Sequence, residues 1–135
     1  MTIIYGKKEN LNIRIDQKTR FGLDLLARVK RRSVSELVLE AMGKRFEQDL
    51  PRCKIEGKEV SLMQAVWMVF EQDRLVKLAL IAPELLTEDE QKIWRVISED
   101  RKYLPKGGDP NYAAIRTDWK VIQHKVRKYE ESARE

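Results

Sequence analysis

The chain has one cysteine, Cys53, and one histidine, His124. Neither an intrachain disulfide nor a zinc site made of Cys and His can be assembled from a single copy. So little cysteine points to a reducing compartment. The N-terminus, Met-Thr-Ile-Ile-Tyr-Gly-Lys-Lys, lacks the apolar run of a signal peptide, and no stretch approaches the length that spans a bilayer. The expectation is a soluble, cytoplasmic protein without membrane partners. Glycine is sparse, and the pair Gly107-Gly108 has no strand before it and none of the remaining pattern of a phosphate-binding loop. A catalytic constellation is missing too. Glu88, Asp89 and Glu90 are better explained as acids in the first turn of a helix, and His124 stands on a polar helix face with no Ser or Cys near it in sequence. Neither an enzyme nor a cofactor is expected.

What the sequence does have is charge: 36% of its residues are Asp, Glu, Lys or Arg, with a net of +5. Residues 1 to 35 hold nine basic and three acidic residues, a net of +6, so the remaining hundred net −1. A basic surplus confined to one end is the footprint of a nucleic-acid binder, although acidic membranes and acidic proteins attract it as well. With 42% hydrophobic residues the chain can still build a core.

Within the basic end, Glu9 to Asp16 alternate without fault. Asn10, Asn12 and Arg14 share one face of a predicted strand, and Leu11, Ile13 and Ile15 share the other. The next element reads as a helix and offers no hairpin partner, so the neighbouring strand is expected from a second copy. A two-stranded ribbon is marginal in water until its apolar face lies on helices. Its polar row suits base edges, because Arg bonds bidentately to guanine and Asn to adenine in a major groove that admits such a ribbon. As an isolated pattern, the alternation is equally that of an edge strand with its polar side in water. Ahead of it, residues 1 to 8 form a short basic arm ending in Gly6-Lys7-Lys8, either a phosphate contact or a plain terminus.

Asp16 is placed to cap a first helix whose apolar face includes Phe21, Leu23, Leu25, Leu26, Ala27 and Val29. The helix runs out in Arg28-Val-Lys-Arg-Arg32. Ser33-Val-Ser-Glu36 is a capping box opening a second helix, from about Val34 to Gln48, with Leu37, Val38, Ala41, Met42 and Phe46 inward. Free N–H groups at its start, beside Lys30, Arg31 and Arg32, make a ready phosphate site.

Asn10-Leu-Asn-Ile-Arg-Ile15, Leu26-Ala27 and Arg32-Ser-Val-Ser-Glu-Leu37 together resemble the ribbon-helix-helix family of DNA-binding proteins, which includes the Arc and methionine repressors. The resemblance covers roughly residues 8 to 48. It implies an intertwined dimer whose strands pair antiparallel in the major groove. By position, Asn10, Asn12 and Arg14 match the base-reading row, and Ser33, Val34 and Ser35 match a phosphate clamp at the start of the second helix. Lys7, Lys8, Lys30, Arg31 and Arg32 are the basic groups expected to join that clamp. The chain departs from the family in the turn between the helices, where many members carry Gly and this one carries Lys30-Arg-Arg32.

Pro51 ends the second helix, and residues 52 to 60 read either as a linker or as a small hairpin turning at Glu56-Gly57. Beyond them, three helices are expected. The first runs from Leu62 to Ala82, capped by Ser61, either unbroken or hinged at Glu71-Gln-Asp-Arg74. The second opens at the capping box Thr87-Glu-Asp-Glu90, and the last has Asp109 as N-cap and Pro110 in its first position. Trp67, Trp94 and Trp119, one per helix, read as core packing.

The expected fold class is therefore mainly α, with a ribbon-helix-helix domain over residues 1 to 50 (one strand and two helices per chain) and a helical domain over residues 51 to 135. The first functional expectation is a homodimeric, sequence-specific binder of double-stranded DNA acting as a transcriptional repressor, such as an autoregulator, with further oligomerisation on DNA or a protein partner left to the C-terminal domain. The second is an antitoxin or a plasmid transfer or partition factor that binds a partner through that domain. The third is a helical scaffold that does not bind DNA and whose N-terminal strand augments a partner's sheet.

Overall fold

The structure is a computed structural model and describes residues 8 to 134. It is mainly helical, with one two-stranded antiparallel sheet, and divides into two units, Met1–Met63 and Gln64–Glu135. The division places the sheet with the N-terminal unit rather than with the C-terminal helices.

In the first unit, residues 8 to 16 adopt no regular secondary structure in the single chain. Helix α1 follows at Gln17–Lys30, started by Asp16, whose carboxylate accepts from the Thr19 N–H at 2.7 Å. Thr19, through its side chain first and then through this N–H, holds the Asp16 carboxyl below its usual pKa. At the other end, Arg31 takes a left-handed conformation (φ 55°), and the Arg32 N–H returns to the Ala27 carbonyl at 3.2 Å. Glycine usually fills such a position, since a side chain there crowds its own backbone. Here an arginine turns the chain into α2, Val34–Asp49. Pro51 then leads into β1, Arg52–Ile55, and β2, Lys58–Ser61, paired Cys53 to Val60 and Ile55 to Lys58. Glu56 and Gly57 both have positive φ, 51° and 80°, as the two-residue primed turn of a hairpin demands.

The second unit differs from the predicted three helices. Leu62–Val66 is a short helix, α3, and α4 begins only at Glu71 and ends at Ile81, so of the two readings of this stretch the structure takes the broken one, with the interruption at residues 67 to 70, just ahead of the charged cluster. Ser61, expected as its cap, is instead the last residue of β2. The break is held by a side chain of the next helix. The Arg74 guanidinium donates to the Met68 and Val69 carbonyls at 3.0 and 3.1 Å and lies 5.0 Å over the Trp67 ring. Pro83–Leu85 forms a 3-10 turn, and the complete Thr87/Glu90 capping box opens α5, Glu88–Ser98. The last predicted helix is two, α6 at Tyr112–Thr117 and α7 at Trp119–Ala133, with Asn111 rather than Asp109 as the cap of the first.

The core of this unit gathers Leu75 and Val76 of α4, Val96 and Ile97 of α5, Tyr103, Ile115 of α6 and Ile122 of α7, with Trp94 and Trp119 packed against it. Two polar ties accompany it. The Tyr103 hydroxyl donates to Asp118 at 2.8 Å, and Asp73, 3% exposed, faces the Arg116 guanidinium at 3.3 Å. The geometry at Asp73 is an ion pair rather than a hydrogen bond, since the same Arg116 Nε–H donates to the Tyr112 carbonyl. Among the described residues no helix is long and apolar enough to cross a membrane.

Candidate nucleic-acid interface

Asn10, Asn12 and Arg14 lie on an exposed segment that pairs with nothing in the single chain. Their apolar neighbours are bare as well: Leu11 is 74% exposed, Ile13 67% and Ile15 42%. Three large aliphatic side chains in water at every second position form a face without a cover. The strand predicted over residues 9 to 16 is therefore not formed within one chain, for want of a neighbour to supply its ladder of hydrogen bonds.

The two helices beside this segment are in the same condition. From residue 8 to residue 60 no side chain is buried. A groove between α1 and α2 is lined by Leu23, Leu26, Leu37, Val38 and Met42 and stays open, while Phe21, Val29 and Leu39 point into solvent. Two amphipathic helices that meet along one edge leave most of their apolar stripes uncovered.

At the start of α2 the Ser33 Oγ accepts from the Glu36 N–H at 3.1 Å. Val34 and Ser35 occupy the first two helical positions, whose N–H groups have no intrahelical acceptor. Lys30, the last residue of α1, and Arg31, in the left-handed turn, are exposed beside them and hold no carboxylate among the described residues. This corner offers an anion two backbone donors, a hydroxyl, two cations and the positive end of a helix dipole. Lys8 is exposed at the beginning of the described chain, and Lys7 lies outside the described residues.

Arg32 is paired within the single chain. Its guanidinium turns away from the helix start and along α2, donating to Glu36 at 3.2 Å and, closer still, to Glu40, which also holds Lys44. The Glu40 carboxylate, and to a lesser degree Glu36, raises the pKa of Arg32, and Arg32 and Lys44 lower that of Glu40. Both pairs are exposed, so the carboxylates compete with a phosphate for this arginine without excluding it. The capping box is likewise only half made, since Glu36 reaches Arg32 instead of the Ser33 N–H. The signal was in the sequence: Arg32, Glu36 and Glu40 recur every four residues, which stacks them on one helical face.

No protein-family model matches the chain, and neither the curated proteins nor the solved structures gave a match.

Proposed function

We propose that the chain is a homodimeric, sequence-specific binder of double-stranded DNA, acting as a transcriptional repressor, in which two copies of residues 9 to 16 pair as an antiparallel ribbon in the major groove. The observation that carries this reading is the uncovered first unit. Its alternating segment presents Leu11, Ile13 and Ile15 to water beside two helices that bury nothing, and a second copy supplies both the missing strand and the missing apolar cover. With the apolar row turned onto the helices, the opposite row, Asn10, Asn12 and Arg14, faces outward. The groups in it are those that read adenine and guanine edges.

The start of α2 supports the same orientation. Ser33, the N–H groups of Val34 and Ser35, and the free cations Lys30 and Arg31 form a backbone clamp, which fixes position on the duplex without reading sequence. Arg32, paired with Glu36 and Glu40 in the single chain, joins this clamp by exchanging those carboxylates for a phosphate.

The test begins with a footprint of the full chain on the region upstream of its own gene. Arg14→Ala is expected to weaken binding to the protected site by about 1 to 3 kcal/mol and to relax preference at one base pair per half-site. A variant that keeps both affinity and base preference removes Arg14 from the groove and the ribbon reading with it.

A further inference from the structure

The near-neutral charge of the second unit conceals a cluster. From Trp119 to Tyr129 there is no acidic residue in eleven, and four are Lys or Arg. These eleven begin α7, where Lys120, His124 and Lys128 recur every four residues, with Arg127 three after His124, and share a face. All four are exposed. That face is opposite the one that carries Ile122 and Val126 against the core.

Among the described residues, five cations of the unit are held by carboxylates; the stripe is not, and it differs from the equally unpaired Lys77, Arg101 and Lys106 in gathering its charges on one helix face. Lys92 holds Glu130, Arg95 holds Glu99, Lys102 holds Asp118, Arg116 holds Asp73, and Lys125, on the flank of the same helix, faces Asp100. Lys120, Arg127 and Lys128 hold no carboxylate among the described residues. Glu131 is the nearest acid on their face and stands at its C-terminal edge. An ordinary solvated helix face mixes signs at four-residue spacing, as α5 does with Glu88 and Lys92. The α7 stripe carries one sign from Lys120 to Lys128, and the other returns on that face only with Glu131, four residues beyond Arg127.

We infer that the α7 stripe is a second polyanion-binding surface, independent of the N-terminal segment, whose ligand is the phosphate backbone of a nucleic acid. From Lys120 to Lys128 the helix rises roughly 12 Å at about 1.5 Å per residue. Over that length one strand of a duplex presents about three to four phosphates. A helix that binds a membrane surface keeps an apolar face to insert, and on α7 the stripe opposite these cations is already packed into the core. Outside that packed stripe α7 exposes only Val121 and Tyr129 among its large apolar side chains, too little for an inserting face, and its charge suits a backbone read by counterion release. The inference does not rest on the ribbon.

The experiment compares full-length proteins on a random-sequence duplex, reading the slope of log affinity against log salt. The neutralised variant Lys120→Gln/Arg127→Gln/Lys128→Gln is expected to lose about two to three from the slope per chain, at about 0.9 per phosphate contact. The exchanged variant Lys120→Arg/Arg127→Lys/Lys128→Arg keeps the slope, and all proteins keep the same melting temperature, because the three side chains are exposed. Lys30→Gln/Arg31→Gln is measured alongside. Loss in the α7 variant with none in the Lys30/Arg31 variant upholds this surface and overturns the N-terminal clamp. An unchanged slope in the neutralised variant overturns the inference, as does a parent protein that does not bind the duplex at low salt. Phosphatidylserine vesicles are the last arm: if neutralisation weakens binding to them and leaves the duplex slope intact, the surface belongs to a membrane and the inference is wrong.

Discussion

The two units of this chain use amphipathic helices to opposite ends. In the second, α4, α5, α6 and α7 close on one another until Val76, Ile97, Ile115 and Ile122 are inaccessible to water. In the first, α1 and α2 also carry apolar residues at helical spacing, yet no residue from 8 to 60 is buried. Regular patterning is therefore not enough to make a core. Two helices and a short hairpin supply too little surface to one another to offset the conformational entropy of ordering them, about 1 to 2 kcal/mol per residue for the backbone alone. A unit patterned for burial and left unburied is half of something, and the proposed dimer supplies the other half.

The sharpest way to break this contrast is to remove one apolar side chain from each unit. Ile115→Ala deletes a fully buried side chain and should cost about 2 to 5 kcal/mol, the usual penalty of such a cavity. Its effect on the melting temperature should not depend on protein concentration. Leu26, at 43% exposure in the single chain, would matter little if the first unit stood alone. In an intertwined dimer Leu26→Ala should cost at least about 2 kcal/mol, and the transition that it lowers should rise with protein concentration, because association contributes to its stability. A cost for Leu26→Ala below about 1 kcal/mol, the same at every concentration, would mean that the groove of α1 and α2 is exposed in the working protein.

Much of this division was legible in the sequence, and the reason differs by element. Asp16, Ser33 and Thr87 mark helix starts by a local hydrogen bond, and Pro51 marks a helix end sterically, so α1, α2 and α5 begin or end where the residues say. Glu56-Gly57 gives the hairpin turn for the same kind of reason. The break at residues 67 to 70 has neither Gly nor Pro, and its one sign in the sequence was the charged cluster Glu71 to Arg74, which left an unbroken helix equally open. It is held by Arg74 reaching back to two carbonyls, with Arg116, more than forty residues away, lying 4.7 Å over the Phe70 ring. Local reasoning had no access to that packing. At the candidate interface the polar row of residues 10 to 14 was visible as a pattern, while the diversion of Arg32 to Glu40 depended on which of two anions, phosphate or carboxylate, lies within reach. The α7 stripe was hidden by arithmetic, because a net of −1 over a hundred residues averages a basic helix with acidic ones.

A smaller effect sharpens the contrast at the start of α2. Ser33→Ala removes the cap of Glu36 and should cost about 1 kcal/mol. It should weaken binding to specific and random duplexes equally, since a backbone contact carries no sequence information directly. The corresponding cap of the second unit, Thr87, is a control: Thr87→Ala should cost a similar amount of stability without touching affinity. A loss confined to the specific duplex, with stability unchanged, would contradict a clamp at Ser33.

The smallest effect expected is a difference in how the two units answer pH, and it follows from Tyr103. Its side chain is 2% exposed and its hydroxyl donates to Asp118, which also holds Lys102. Burial, and then the Asp118 carboxylate accepting its proton, push the Tyr103 pKa up to about 12. The folded unit thus keeps a proton that the unfolded chain releases near pH 10. Where the native state binds more protons than the unfolded one, stability falls as pH rises. The contribution of Tyr103 is fully present below about pH 10 and is lost as pH climbs toward 12. Asp118 acts at the acid edge with the opposite sign. Lys102 and the Tyr103 hydroxyl lower its pKa, so its contribution is present above the ordinary carboxylate range and is lost as pH falls through the lowered value. No tyrosine lies between residues 8 and 63, so the alkaline loss should appear in the transition of the second unit and not in that of the first. Tyr103→Phe tests this in melts from pH 8 to 11.5. The variant should be less stable at pH 8, where the hydrogen bond to Asp118 is missing, and its second-unit transition should fall less steeply above pH 10 than the parent's. Parallel curves for the two proteins would show that Tyr103 keeps no proton in the fold that it loses on unfolding.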